Sequence, residues 1–87
     1  MEIHNYMEDM VSDSLEELLS QKEDVCKCQK CKLDMMVWAL NRLSPKYVVS
    51  DKGRFYTKLD GEEIQFKTDV VRELTKAMLN VSKNPRH

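Results

Sequence analysis

Three apolar stripes with helical spacing constrain the fold of this chain more than any other feature. The first stripe is Met7, Met10, Val11, Leu15, Leu18 and Leu19. The second is Leu33, Met36, Val37, Leu40 and Leu43, widened by Trp38 and Ala39. The third is Phe66, Val70, Leu74, Ala77, Met78 and Val81. Apolar residues that recur every three or four positions lie on one face of an α-helix, and they are expected to form its buried side. The sequence therefore predicts three amphipathic helices, over about residues 5–20, 33–44 and 62–81.

Local signals set two of the helix ends. Asn5 followed by Glu8 resembles a capping box, with Asn in place of Ser or Thr, so the first helix is expected to begin near Asn5. Pro45 disfavours helical backbone at Ser44 and therefore ends the second helix.

The segment between the second and third helices is β-prone. Two short runs, at residues 47–49 and 54–57, flank a loop that contains Gly53. This pattern is typical of a β-hairpin, and an extended, packed loop is the alternative. The predicted fold is mainly α: a small three- to four-helix domain over residues 1–87, with a short β-hairpin or extended loop and a cysteine knuckle.

The length of the chain limits its core. A domain of 87 residues buries only about 60% of the surface that its unfolded chain exposes. Three wide apolar faces exceed what so small a core can cover, so we expect a homodimer that buries the remaining apolar surface. No apolar run approaches the roughly 18 residues of a membrane span, and the start of the chain lacks a signal-peptide pattern. We therefore expect a cytoplasmic protein that has no contact with a membrane and whose thiols are reduced.

Charge is distributed unevenly along the chain. Residues 1–20 carry six acids and no Lys or Arg, whereas residues 21–58 carry nine bases and four acids. The basic middle segment could bind an anionic ligand, or both segments could be ordinary solvated faces. The whole chain has a net charge of −1. This balance makes DNA an unexpected partner, because nucleic-acid-binding domains are usually basic.

The strongest chemical signal is a C-x-C-x2-C knuckle formed by Cys26, Cys28 and Cys31. Three thiolates this close together can converge on one tetrahedral ion, and zinc prefers this type of ligand. Neighbouring lysines would offset the thiolate charge. The alternatives are three reduced cysteines without metal and, less favoured because the cysteine count is odd, redox chemistry. The sequence predicts structural Zn2+ that ties the connection between the first two helices to the core.

A closed zinc site needs a fourth ligand, and the chain has no fourth cysteine. The candidates are His87, His4 and Asp24. His87 is the favoured prediction, because binding it would hold the end of the chain in place. An open fourth position would permit zinc catalysis. However, no Glu/His general-base pair occurs at a recognisable spacing, so no enzymatic activity is expected.

Polar residues cluster around the second helix and the β-prone segment. They are Lys32, Asp34, Asn41, Arg42, Lys46, Tyr47, Arg54 and Tyr56. Asp34 and Asn41 are seven residues apart and share one helix face. Arg and Lys bind phosphates, Asp accepts hydrogen bonds from a guanine edge, and Tyr or Arg stacks on a base. A nucleotide ligand would suit this set, and a solvated polar side of the helix is the simpler alternative.

Two longer motifs carry a family resemblance. The segments CKCQKCKLD at residues 26–34 and ALNRLSPKYVVS at residues 39–50 resemble the hallmark of the late-competence ComFB family of bacteria. The starting segment NYMEDMV at residues 5–11 and the ending V…NPRH at residues 81–87 are also similar to this family. The resemblance covers nearly the whole chain.

The resemblance implies a small, mainly helical, dimeric protein with cysteine-bound metal and no enzymatic activity. Some relatives are receptors for cyclic dinucleotide messengers, notably cyclic di-GMP. Carried onto this chain, the shared motif implies that the ligand-binding residues are Lys32, Asp34, Asn41, Arg42 and Tyr47. The first hypothesis is a dimeric receptor that passes the signal to a protein partner. The alternative is a ligand-free, zinc-stapled adaptor linked to bacterial competence, and a DNA-binding module ranks third.

Overall fold

The computed structural model describes residues 2–51, 55–56 and 63–83. Its elements, in chain order, are β1 (Glu2–Asn5), α1 (Tyr6–Leu19), α2 (Gln29–Leu40), β2 (Tyr47–Asp51), β3 (Phe55–Tyr56) and α3 (Glu63–Lys83). The predicted fold class is confirmed, because the described residues are mainly helical and form three helices, a short antiparallel hairpin and a cysteine cluster. The predicted loop at Gly53 lies outside the described residues.

Asn5 organises the start of α1, as its position in the sequence predicts. Its Oδ1 atom accepts a hydrogen bond from the Met7 amide at 3.1 Å, which caps the helix. The same oxygen accepts from the Lys46 amide at 2.9 Å, and the Tyr6 amide donates to the Lys46 carbonyl at 2.7 Å. One side chain therefore joins the beginning of α1 to the segment that follows α2.

Helix α2 begins four residues earlier than the apolar spacing predicts. Cys28 is its N-cap, and the Cys28 sulfur accepts a hydrogen bond from the Cys31 amide at 3.5 Å. The Lys32 amide then donates to the Cys28 carbonyl at 3.0 Å. The helix ends at Leu40 with Asn41 as its C-cap, five residues before Pro45, so the cysteine knuckle is built into the first turn of α2.

Strand β1 was not expected from the sequence. It pairs antiparallel with β2, with Ile3 opposite Val49 and Asn5 opposite Tyr47, and β2 pairs antiparallel with β3. Four residues with one strongly apolar side chain give little local signal for a strand. The partner strand lies more than 40 residues away in the sequence, so tertiary pairing decides this conformation.

The core forms where the three helices meet. The residues of α1 and α3 that it buries follow the predicted stripes, including Val11, Leu15, Val70 and Leu74, each at most 1% exposed. In α2 the prediction is wrong for Leu33 and Val37, which are 48% and 56% exposed. A second stripe on α2 is buried in their place, and it consists of Cys31, Met35 and Ala39.

Helix α2 is consequently apolar on two sides, whereas α1 and α3 each have one apolar face. Cys31, Met35 and Ala39 pack in the core, Met36 and Leu40 are half-buried against it, and Leu33 and Val37 are exposed. A helix that is apolar all round is normally buried all round. Within the described residues, no helix has the length and apolar character to cross a membrane.

Candidate functional site

The three cysteine sulfurs converge at the start of α2. All three Sγ atoms lie within 4.8 Å of one another. Cys26 and Cys28 are exposed in the connection after α1, while Cys31 is buried on the inward side of α2 with 1% of its surface exposed. The cluster thus joins a surface loop to the hydrophobic core.

The surroundings of the Cys28 and Cys31 thiols shift their pKa values in opposite directions. The hydrogen bond from the Cys31 amide, supported by the Cys26 side chain, lowers the pKa of the Cys28 thiol. Desolvation by burial, together with the neighbouring cysteines, raises the pKa of the Cys31 thiol to about 12. Deprotonating Cys31 therefore needs a compensating positive charge close to its sulfur, such as a metal ion provides.

The residues fit a thiolate-bound cation. Tetrahedral zinc–sulfur bonds of ~2.3 Å place neighbouring sulfurs ~3.8 Å apart, so separations within 4.8 Å require only small side-chain rotations. The predicted group Cys26, Cys28 and Cys31 is therefore brought together, and it could hold a metal ion.

A fourth ligand is not identified among the described residues, where no further His, Cys, Asp or Glu joins the three sulfurs. His87, the favoured prediction, lies outside the described residues. His4 is engaged elsewhere, since its Nε2 atom lies 3.1 Å from the Asp9 carboxylate. Asp24 is exposed and does not belong to the sulfur group.

A shallow cleft of about 400 Å³ lies at the other end of α2, against α3, and we call it the α2–α3 cleft. Its lining consists of Asp34, Val37, Trp38, Asn41, Arg42, Asn80 and Val81. Three of the five predicted ligand-binding residues, Asp34, Asn41 and Arg42, are thus in one place. The seven-residue spacing of Asp34 and Asn41 does put them on the same side of the helix.

Arg42 is held over an aromatic ring in this cleft. Its guanidinium carbon lies 3.6 Å from the centroid of the Trp38 ring, and its Nη1 atom donates to the Trp38 carbonyl at 3.0 Å. A guanidinium stacked on an indole is restricted in orientation, so less freedom is lost when it binds an anion.

Trp38 is a cleft residue that the sequence analysis assigned to an apolar face. The i, i+4 spacing of Trp38 and Arg42 is the signal that could have identified the pair, because side chains four residues apart meet on a helix. Asn80 and Val81 were also missed as cleft residues, since only the packing of α3 on α2 brings them to the cleft.

The remaining two predicted ligand residues do not line this cleft. The Lys32 ammonium contacts both carboxylate oxygens of Glu16, at 3.0 and 3.3 Å, and so links α2 to α1. Tyr47 is on β2 and 65% exposed. Their roles as ligand contacts remain predictions.

Comparisons with known proteins agree on one group of relatives. The family model described as Late competence development protein ComFB matches residues 4–85. Competence protein ComFB of Bacillus subtilis (strain 168) is 31% identical over 81 residues, covering 93% of this chain and 83% of the relative. A solved structure of the late competence protein ComFB from Bacillus subtilis superposes with a TM-score of 0.77 at 30% identity, over 97% of this chain and 92% of the other.

Proposed function

The chain belongs to the ComFB family, and on that premise we propose that it is a non-enzymatic, dimeric regulatory protein with structural zinc. It binds the second messenger cyclic di-GMP and passes the signal to a protein partner. The single observation that carries the proposal is the α2–α3 cleft, where Asp34, Asn41 and the stacked Arg42 meet. The proposed link to bacterial competence follows from membership of the ComFB family.

Zinc is the proposed metal because three thiolates form a soft ligand set that suits a tetrahedral ion. Cys26, Cys28 and Cys31 would hold it, with His87 as the proposed fourth ligand. When bound, a structural zinc supplies folding free energy by fixing the connection between α1 and α2 to the core. The buried position of Cys31 beside two exposed cysteines supports this structural role.

The cleft offers the contacts that a guanine nucleotide needs. The Asp34 carboxylate can accept hydrogen bonds from the N1 and N2 groups of guanine, and the Asn41 amide can pair with a base edge. The Arg42 guanidinium can bind a phosphodiester oxygen while its outer face or the Trp38 ring supports a base. The proposal assigns binding roles, and no reaction, to these side chains.

The outward side of α2 supports the proposed homodimer. Its apolar residues are Leu33 and Val37, which are exposed, and Met36 and Leu40, which are half-buried beside them. The spacing of these four residues is symmetric about the middle of the stripe. When two copies of α2 pair antiparallel, Leu33 meets Leu40 and Met36 meets Val37, as a two-fold interface requires. Replacing Val37 by Glu should convert the dimer to a monomer in sedimentation equilibrium, whereas Leu79→Glu, an equally exposed residue on α3, should not.

The alternative, a ligand-free adaptor, is favoured by a different surface. Ile3 and Val49 are cross-strand partners on the sheet and are 79% and 46% exposed, and Tyr47 is exposed beside them. An exposed apolar sheet face can dock a protein without any nucleotide. On this alternative, Ile3→Ser and Val49→Ser abolish partner capture, and capture is the same with and without cyclic di-GMP.

Trp38 gives a direct test of the receptor proposal, because it is the only tryptophan in the chain and lies in the cleft. Cyclic di-GMP should change its fluorescence saturably, and GTP or cyclic di-AMP should have a much weaker effect. Asp34→Asn should weaken the response about tenfold by removing a charged acceptor, while the control Lys83→Ala should not. An unchanged response in Asp34→Asn would remove this residue from the site, and no response in the wild type would favour the adaptor.

A further inference from the structure

A second cleft meets the first at Arg42, and no role is assigned to it. Its volume is about 290 Å³, and its charged and aromatic lining residues are Arg42, Lys46, Phe66, Asp69, Arg72 and Glu73. It lies between the start of α1, the segment after α2 and the first half of α3. We call it the loop–α3 cleft.

The two clefts follow one side of α3. Phe66, Asp69, Glu73 and Asn80 are separated by three, four and seven residues, which places them along the same flank of the helix. The first three line the loop–α3 cleft, and Asn80 lines the α2–α3 cleft. Arg42 lines both clefts, so its guanidinium stands at the junction between them.

The chemistry of the loop–α3 cleft repeats that of the α2–α3 cleft. Each has an aromatic ring, a carboxylate and Arg42: Trp38 and Asp34 in the first, Phe66 and Asp69 in the second. The Lys46 ammonium lies 5.7 Å from the centroid of the Phe66 ring. Asn5 fixes the backbone of Lys46 through its hydrogen bond of 2.9 Å, so this wall of the cleft is anchored to α1.

Charges in the loop–α3 cleft suit a base beside a phosphodiester. Its three cations, Arg42, Lys46 and Arg72, exceed its two carboxylates by one. The Oδ1 atom of Asp69 accepts from Arg72 and from the Gln65 amide, each at 3.1 Å, and Arg72 also lies 3.7 Å from Glu73. Arg72 therefore offsets part of the negative charge of both carboxylates. A carboxylate has about four acceptor positions, which leaves Asp69 able to accept from a guanine edge.

We infer that the loop–α3 cleft is a second guanine-binding subsite, with Phe66 stacking on the base and Asp69 accepting from its edge. Arg42 then binds the phosphodiester ring between two bases, so that one chain holds both halves of one cyclic di-GMP molecule. The inference rests on the proposed function, since it divides the same ligand between two clefts. It predicts a stoichiometry of one ligand per chain, and a site shared across a dimer axis would give one per two chains.

Calorimetric titration of the metal-loaded protein with cyclic di-GMP tests this subsite. Phe66→Leu, which keeps an apolar side chain against the core, and Asp69→Asn should each weaken binding about tenfold, as the loss of one stacked base does. The control Thr75→Ala, on the opposite side of α3, should bind as the wild type does, and circular dichroism should show all three variants folded.

The outcomes separate the inference from the proposed function. Suppose that Phe66→Leu and Asp69→Asn bind normally while Asp34→Asn and Arg42→Ala bind weakly. The loop–α3 cleft is then only an ion-paired surface, and the second subsite is disproved while the proposed function stands. One ligand per two chains also overturns it. If the wild type does not bind cyclic di-GMP, the proposed function and the inference fail together.

Discussion

The two ends of α2 are built in different ways. At its first turn, the cysteine cluster is assembled from three residues within six positions, and the backbone of the helix cap itself organises them. At its last turn, the α2–α3 cleft needs side chains from α3 that are about 40 residues away in the sequence. One end is therefore specified locally and the other by tertiary packing. We expect perturbations at the first end to change stability and those at the second to change binding.

The largest expected effect is the loss of the metal. Cys28→Ser keeps a good helix N-cap, since Ser is favoured at that position, but it removes one thiolate. We expect loss of bound zinc and a decrease of at least about 5 kcal/mol in the free energy of unfolding, because structural zinc supplies folding energy. Metal analysis and chemical denaturation measure both quantities. Full stability in a metal-free variant would refute the structural role of zinc.

Metal affinity should also depend on pH. The raised pKa of Cys31, about 12, means that its thiol carries a proton at neutral pH until a cation displaces it. Binding releases that proton, so the affinity falls as the pH falls, by about tenfold per pH unit for each released proton. From about pH 8 to about pH 6, Cys31 alone should weaken binding ~100-fold.

Competition with a chromophoric chelator, corrected for the chelator's own protonation, measures this dependence. Cys28 should contribute less than Cys31, because the hydrogen bond that it accepts lowers its pKa. An affinity that stays constant over the same range would mean that Cys31 is not a ligand.

A substitution in the α2–α3 cleft should change ligand affinity without changing the zinc content of the cysteine cluster. Arg42→Ala should weaken cyclic di-GMP binding by about 2 kcal/mol, or ~30-fold, because a charged hydrogen-bond donor is lost. Its zinc content should stay at the wild-type value. Arg42→Lys should recover only part of the affinity, since an ammonium cannot stack on Trp38 as a guanidinium does. If zinc content falls together with affinity, the two ends of α2 are not independent.

Lys32 lies between the two sites and should have the smallest effect. Its ion pair with Glu16 is partly exposed, and such pairs contribute less than about 1 kcal/mol to stability. Lys32→Ala should therefore lower the free energy of unfolding by no more than that. A double-mutant cycle with Glu16→Gln measures the pair, and a large loss of affinity would identify Lys32 as a ligand contact.

The same contrast explains what the sequence could predict. The apolar spacing identified α1 and α3 to within one or two residues, because each has one buried stripe. On α2 it was right for Met36, Ala39 and Leu40, which lie in the core or pack against it. It was wrong for Leu33 and Val37, which have the same helical period but are exposed, because only packing decides which side of the helix is buried. The convergence of the three cysteine sulfurs was predicted correctly, because their short spacing in the sequence keeps them close in space. The predicted fourth ligand, His87, lies outside the described residues.

The cleft could be predicted only in part. Asp34 lies in α2, and Asn41 and Arg42 directly follow the last residue of that helix, so their proximity follows from the sequence. Asn80 comes from a distant helix whose rotational setting depends on the whole core. Strand β1 was missed for a similar reason. Its four residues carry little local signal for a strand, and their conformation depends on pairing with β2.

The proposed binding site for cyclic di-GMP is the α2–α3 cleft, at the end of α2 away from the cysteines. Calorimetric titration of the purified wild-type protein, with its zinc content measured first, is the decisive test of this site. We predict saturable binding of cyclic di-GMP and little or no heat with GTP or cyclic di-AMP at the same concentrations. No saturable heat with cyclic di-GMP, in protein that is folded and loaded with zinc, would rule out the receptor function and leave the zinc-stapled adaptor as the better description.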